Sequence, residues 1–150
     1  MRSRGTRRRE EIEMAVDSGA GETVVGEDML EMIQTEEGEA MRRGVQYEIA
    51  DGTLIPNQGE KNFVAHSEGG MKRMMKAQVC EVNKALLSVK KVTQAGNRVV
   101  FEEGKSYIED VKTGEKMWLQ EKNGMYMLKL WVKTESKTKT DASGFAGQGK

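Results

Sequence analysis

Five glycine-bearing turn signals, each followed within a few residues by an apolar run, restrict this chain to short elements. They are Asp51-Gly52, Gly69-Gly70, Glu103-Gly104, Thr113-Gly114 and Asn123-Gly124. Glycine reaches positive φ without a Cβ clash. Asn-Gly is the strongest hairpin signal of the set, because both of its residues tolerate that region. The runs between these turns are short, as in "VQYEIADGTLIPN" and "KNFVAHSEGGMKRMMKAQVCEV". Such a pattern predicts strand, turn and strand repeated along the chain.

Two stretches carry helical spacing instead. "EDMLEMIQ" sets Met29, Leu30 and Ile33 on one stripe, with acids in its first turn. "KALLSVKKVTQAG" does the same with Leu86, Val89 and Val92, and Gly96 follows as a C-terminal cap. Many short strands and two small helices predict a mostly-β, barrel-like domain. It is expected over about residues 11–132, between a basic tail at 1–10 and a Lys-, Ser- and Thr-rich tail at 133–150.

The core has to be built largely without aromatic residues, which make up 5% of the chain, and with 11 methionines. Methionine fills gaps but specifies shape weakly. Lys and Arg number 24, as do Asp and Glu, so the chain as a whole is not a polycation. No apolar run approaches the roughly 18 residues of a membrane-crossing helix. The basic start lacks the apolar stretch of a secretory signal. One cysteine rules out an internal disulfide. These features predict an intracellular protein, cytoplasmic or nuclear, with no membrane partner.

One His and one Cys fall short of the ligand set of a zinc site, so no metal and no cofactor are expected. His66 reads as a strand residue near a turn and Cys80 as a small apolar filler. A Cys–His nucleophile pair is open, with no third orienting group in view. "GAGETVVG" lacks the third glycine of a dinucleotide fingerprint and the Gly-Lys-Ser/Thr of a phosphate loop. "MRSRGTRRRE" leaves room for a weak nucleic-acid contact, although a solvated tail is the simpler reading.

In "MAVDSGAGETVV", Asp17 closes one apolar run and a second resumes at Thr23. Asp-Ser-Gly is an ordinary turn former at a strand end. A tight loop of small residues at the end of a buried strand can also hold a carboxylate rigidly for chemistry.

The segment "VDSGAGETVV" resembles the active-site segment of retropepsin-like aspartic proteases, whose hallmark is Asp-Thr/Ser-Gly-Ala after an apolar strand. Roughly residues 12–130 are similar to the protease region of Copia-type retrotransposon polyproteins. The matching series is the "DG" hairpin, a Leu86-Leu87-Ser88-Val89 helix, a "Val-x-Phe" strand and a closing "Gly-x-Tyr-x-Leu" strand. The resemblance implies a closed acid-protease β-barrel with one or two short helices, and a homodimer cutting a peptide or polyprotein. Two copies of Asp17 would share one proton and activate a water.

Ser18 would brace the two loops across the dimer. Gly19, without a Cβ, would let backbone N–H groups approach the carboxylate, and Ala20 would keep the floor small. Ala50, Asp51, Gly52 and Thr53 would form a flap over the substrate. Leu86, Leu87 and Ser88 stand where retroviral members have two apolar residues and glycine, and would support the site. Neither tail offers the strand that usually zips such dimers, so the dimer is expected either to be weak or to use Met125–Trp131 instead. Residues 96–132 are open to a second reading, as an appended β unit leading toward an integrase. Two other functions stay open: a catalytically decayed β module that binds peptides or assembles without cleaving, and a nucleic-acid-associated protein working through its N-terminus.

Overall fold

Strand β1 (Arg9–Asp17) and strand β12 (Met125–Lys133) lie antiparallel, and their pairing closes a six-stranded barrel. The computed structural model describes residues 9–133, and the segments 1–8 and 134–150 lie outside the described residues. The other staves are β2 (Val24–Gly26), β5 (Glu60–Ser67), β6 (Lys72–Cys80) and β7 (Ala85–Ser88). Around the barrel the order is β1, β7, β2, β6, β5, β12, with β11 (Gln120–Lys122) attached beside β12. Half of the described residues are strand and 8% are helix, as a mostly-β reading requires. Among the described residues, no helix is long and apolar enough to cross a membrane.

The expected hairpins form. Asn123 and Gly124 adopt φ of 52° and 79° between Lys122 and Met125, which face each other across the two-residue turn. Positive φ at both positions is the primed turn that matches strand twist. Inside the barrel, strand alternation points Phe63 and Ala65 of β5 and Met75 and Ala77 of β6 inward, against Ile12, Met14, Leu128 and Leu130. Alternation is lost at the end of β6, where Ala77, Gln78, Val79 and Cys80 are all buried. The hairpin of β3 (Gln46–Glu48) and β4 (Leu54–Pro56) covers the outer face there, packing Tyr47 and Ile55 on Val24 and Cys80.

A second sheet, β8 (Asn97–Val100), β9 (Tyr107–Asp110) and β10 (Lys116–Trp118), packs Ile108 and Met117 into the same core. Residues 97–133 therefore complete the core and the barrel wall rather than forming an appended unit. Strand β12 is flanked by β1 and β5 at Leu130–Val132, and by β1 and β11 at Met127. Met125–Trp131 is thus a stave inside one chain rather than a strand held out for a partner. Arg9 and Glu10 also belong to β1, so the sheet begins before residue 11.

One of the two expected helices is absent, and the other forms only in the second half of its predicted stretch. Residues 27–34 are turns, with Leu30 at φ 52°. The reason is a lysine. Lys61 of β5 is buried and donates from Nζ to the carbonyls of Leu30 (2.8 Å) and Ile33 (2.9 Å), fixing a turn conformation for Leu30 to be buried in. A short α1 (Glu39–Arg42) follows instead. Leu86, Leu87 and Ser88 are strand, and helix α2 is confined to Val89–Gln94, with Gly96 at φ 94° just beyond its end.

Candidate active site

Asp17 is the last residue of β1, beyond the buried Met14 and Ala15. Strand β7 runs parallel beside it, pairing Val16 with Leu87 and Asp17 with Ser88. On its other side β7 meets β2 through Leu86 and Val24. The connection from β1 to β2, residues 18–23, must therefore arch over the end of β7. It does so in a tight turn. The Asp17 carboxylate accepts the Gly19 N–H at 2.8 Å, and the Asp17 carbonyl accepts the Ala20 N–H at 3.4 Å.

Ser88 fastens this arch from beneath. It is fully buried. Its hydroxyl donates to the Ala20 carbonyl at 2.7 Å and accepts the Lys91 N–H at 3.1 Å, which caps α2. Its own N–H donates to Thr23 Oγ1 at 3.0 Å. One serine thus ties the loop, the strand end and the helix start together. Replacing Ser88 by alanine is expected to cost about 1–2 kcal/mol, through a lost cap and the lost bond to the half-buried Ala20 carbonyl. Urea denaturation measures this, and a loss within error of zero would mean that the arch stands without the hydroxyl.

The turn at Gly19 leaves room for a side chain. A Cβ there would sit 3.4 Å from Asp17 Oδ1, an ordinary contact, so the Gly19 N–H bond does not itself demand glycine. Close approach does demand glycine at Gly26, where a Cβ would meet the Val82 carbonyl oxygen at 2.3 Å, and at Gly59, where it would meet the Glu36 carbonyl oxygen at 2.6 Å. Ser18 is exposed at the crest of the arch, and Ala20 is half-buried.

Ala50, Asp51, Gly52 and Thr53, expected as a flap, form the exposed tip of the β3–β4 hairpin. Asp51 accepts the Thr53 N–H at 2.9 Å, and hydrogen bonding from Thr53 holds its carboxyl below the usual carboxylate range. Among the described residues, no hydrogen bond or ion pair joins this tip to the Asp17 loop. The root of the hairpin is joined to it indirectly. Asn57 donates to Tyr47 Oη (2.9 Å) and Gln78 Oε1 (2.8 Å), and the Gln78 N–H donates to the Thr23 carbonyl (2.8 Å). Burial pushes the Tyr47 phenol above its usual pKa. The hairpin is therefore anchored at its base and projects Ile49 and Leu54, 38% and 54% exposed, around a solvated tip.

The structure brings Asp17–Ala20 together with Leu86–Ser88, and among the described residues it shows no hydrogen bond or ion pair between these and Ala50–Thr53. Sequence reasoning missed Thr23, Asn57 and Gln78, which carry the link. Gln78, a polar residue inside the run Ala77–Cys80, was the available signal. His66 and Cys80 are not partners. The β5–β6 register places His66 opposite Lys72, at the far end of β6 from Cys80, roughly 26 Å away along the strand. Burial pushes the Cys80 thiol up to about 11, so it stays protonated and unreactive at neutral pH. Among the described residues, no three of His, Cys, Asp and Glu cluster as metal ligands.

No family model, curated protein or solved structure matches this chain.

Proposed function

We propose that this chain is a retropepsin-like aspartic endopeptidase of the Copia retrotransposon type, active as a homodimer. The observation that carries the reading is the arch itself. A carboxylate stands at the end of a buried barrel stave, and its loop of small residues is held over a parallel strand by a fully buried serine. That arrangement fixes Asp17 at an accessible edge of an otherwise closed fold. In the proposed dimer a second copy brings its own Asp17 alongside. Two carboxylates at that distance hold one proton between them. The charged one takes a proton from a water as it attacks the peptide carbonyl. The protonated one donates to the carbonyl oxygen, giving a tetrahedral intermediate without an enzyme adduct.

Because β1 and β12 pair within one chain, the two copies meet on the face bearing Ser18 and Gly19, not through exchanged end strands. An extended peptide lies across this face, with the β3–β4 hairpin closing on it. Sedimentation over a concentration series, with and without a statine-type transition-state analogue, tests this. The expected result is a monomer–dimer equilibrium pulled toward dimer by the analogue, with cleavage of a peptide library at mildly acid pH. A monomer at every concentration, unmoved by the analogue and without products, would refute the reading.

A further inference from the structure

Trp118, 58% exposed, is the most exposed large apolar side chain among the described residues. It stands on the outer face of the three-stranded sheet. Ile108 and Met117 point into the core and Val99 packs against it, so alternation turns Arg98, Val100, Tyr107, Glu109, Lys116 and Trp118 outward. Register sets these six in two rows across the strands. One is Val100, Tyr107 and Trp118; the other is Arg98, Glu109 and Lys116.

The two rows differ in chemistry. In the first, Tyr107 braces Trp118 edge-on, with ring centroids 5.1 Å apart. In the second, Arg98 and Lys116 share Glu109, at 3.5 and 3.7 Å, which leaves one positive charge over. Lys116 Nζ also lies 5.2 Å over the Tyr107 ring. Glu102, Glu103 and Lys105 of the β8–β9 turn lie exposed past the other side of the aromatic row. An acid on a bound partner is therefore favoured only toward Arg98 and Lys116. Tryptophan and tyrosine offer a large, stiff apolar surface and are common anchors of binding faces.

We propose that this face docks a proline-containing segment of another protein, a Pro-x-x-Pro stretch in the polyproline II form with an acid between its prolines. The spacing fits. The aromatic row spans two strand spacings, about 9.6 Å. Polyproline II rises about 3.1 Å per residue with three residues per turn, so prolines three apart lie on one face about 9.3 Å from each other. They meet the two ends of the row, while the residues between them project to its flanks, where Arg98 and Lys116 take the acid. The segment comes from another protein, because the one proline of this chain, Pro56, is held in β4. A second copy laid face to face with its strands aligned would set Glu109 against Glu109 and Arg98 against Lys116. A nucleic-acid strand fits less well, since Glu109 at the centre of the charged row repels phosphate. Trp118 takes no part in the Asp17 arch, so this inference stands apart from protease activity.

The test is fluorescence anisotropy of the full chain with a labelled peptide of about ten residues containing Pro-Asp-Ala-Pro. Saturable binding is expected, weakened about tenfold or more by Trp118→Ala, as for a tryptophan anchor. The same peptide with alanine for both prolines binds more weakly. A peptide with Pro-Ala-Ala-Pro is also weaker on the unaltered chain, and Arg98→Gln with Lys116→Gln removes that difference. An unchanged denaturation midpoint certifies the fold of each variant, and the acid preference tests the face without touching Trp118. No binding of the Pro-Asp-Ala-Pro peptide overturns the proposal. So does binding indifferent to Trp118, or an acid preference that survives the double Gln variant. Equal competition by a single-stranded oligonucleotide overturns the assignment to a peptide. Self-association that Trp118→Ala abolishes would assign the face to a second copy instead.

Discussion

Asp17→Asn is expected to lower peptide cleavage by about 10²–10⁴-fold or more, the range associated with loss of a positioned general base. An asparagine can neither take a proton from water nor share one with its mate. It can keep the local structure. The amide oxygen still accepts the Gly19 N–H that the carboxylate accepts now, and Asn is as good a turn former as Asp. The denaturation midpoint should therefore hold while activity disappears. Mixing sharpens the test. If each active unit needs two acids, a roughly tenfold excess of the variant lowers activity per wild-type chain about tenfold, by mass action. Activity per wild-type chain that ignores the excess would break the link between dimer and chemistry. Peptide affinity equal in both proteins, with no products from either, would identify a binding module that does not cut.

The second large effect concerns stability. Arg73→Met is expected to cost about 3–5 kcal/mol, the cost of removing one partner of a buried ion pair. Arg73 on β6 and Asp110 on β9 meet at 2.8 Å with their side chains 9% and 11% exposed. Arg73 also donates to the Lys72 carbonyl, and Glu115 stands 3.6 Å away. The pair joins the barrel to the three-stranded sheet whose Ile108 and Met117 complete the core. In urea, a loss of this size lowers the midpoint by about 2 M at unchanged slope. Asp110→Leu in the same chain should restore part of the loss, because it removes the stranded carboxylate. The restoration stays incomplete, since Asp110 also accepts the Lys112 and Thr113 N–H groups of its turn. A loss under about 1 kcal/mol for Arg73→Met would mean that the apolar contacts alone hold the two sheets together.

Legibility followed the range of the interactions. Every glycine-marked turn was readable, because positive φ at Gly52, Gly70, Gly104, Gly114 and Gly124 is a local demand met by a local residue. Asp17 was readable for the same reason, as a small-residue loop after an apolar run. The helix expected at residues 27–34 was not to be had from spacing. The carbonyls of Leu30 and Ile33 there accept from Lys61, a residue some thirty positions away, and Leu30 takes a positive φ that a helix does not have. Leu86 to Ser88 has good helical spacing and is strand all the same, because β1 and β2 offer it backbone partners on both sides.

What the amino-acid order determined by itself was the count and placement of turns, hence short strands and a mostly-β chain, and the place of Asp17 at the end of an apolar strand. Those rest on φ preferences and on side chains acting within a few residues of themselves. Only the tertiary structure decided that β1 closes on β12, that Ser88 pins the Asp17 arch, and that Arg73 finds Asp110. Each is a pairing between distant positions, chosen by which arrangement buries the apolar faces and still satisfies the polar groups caught between them.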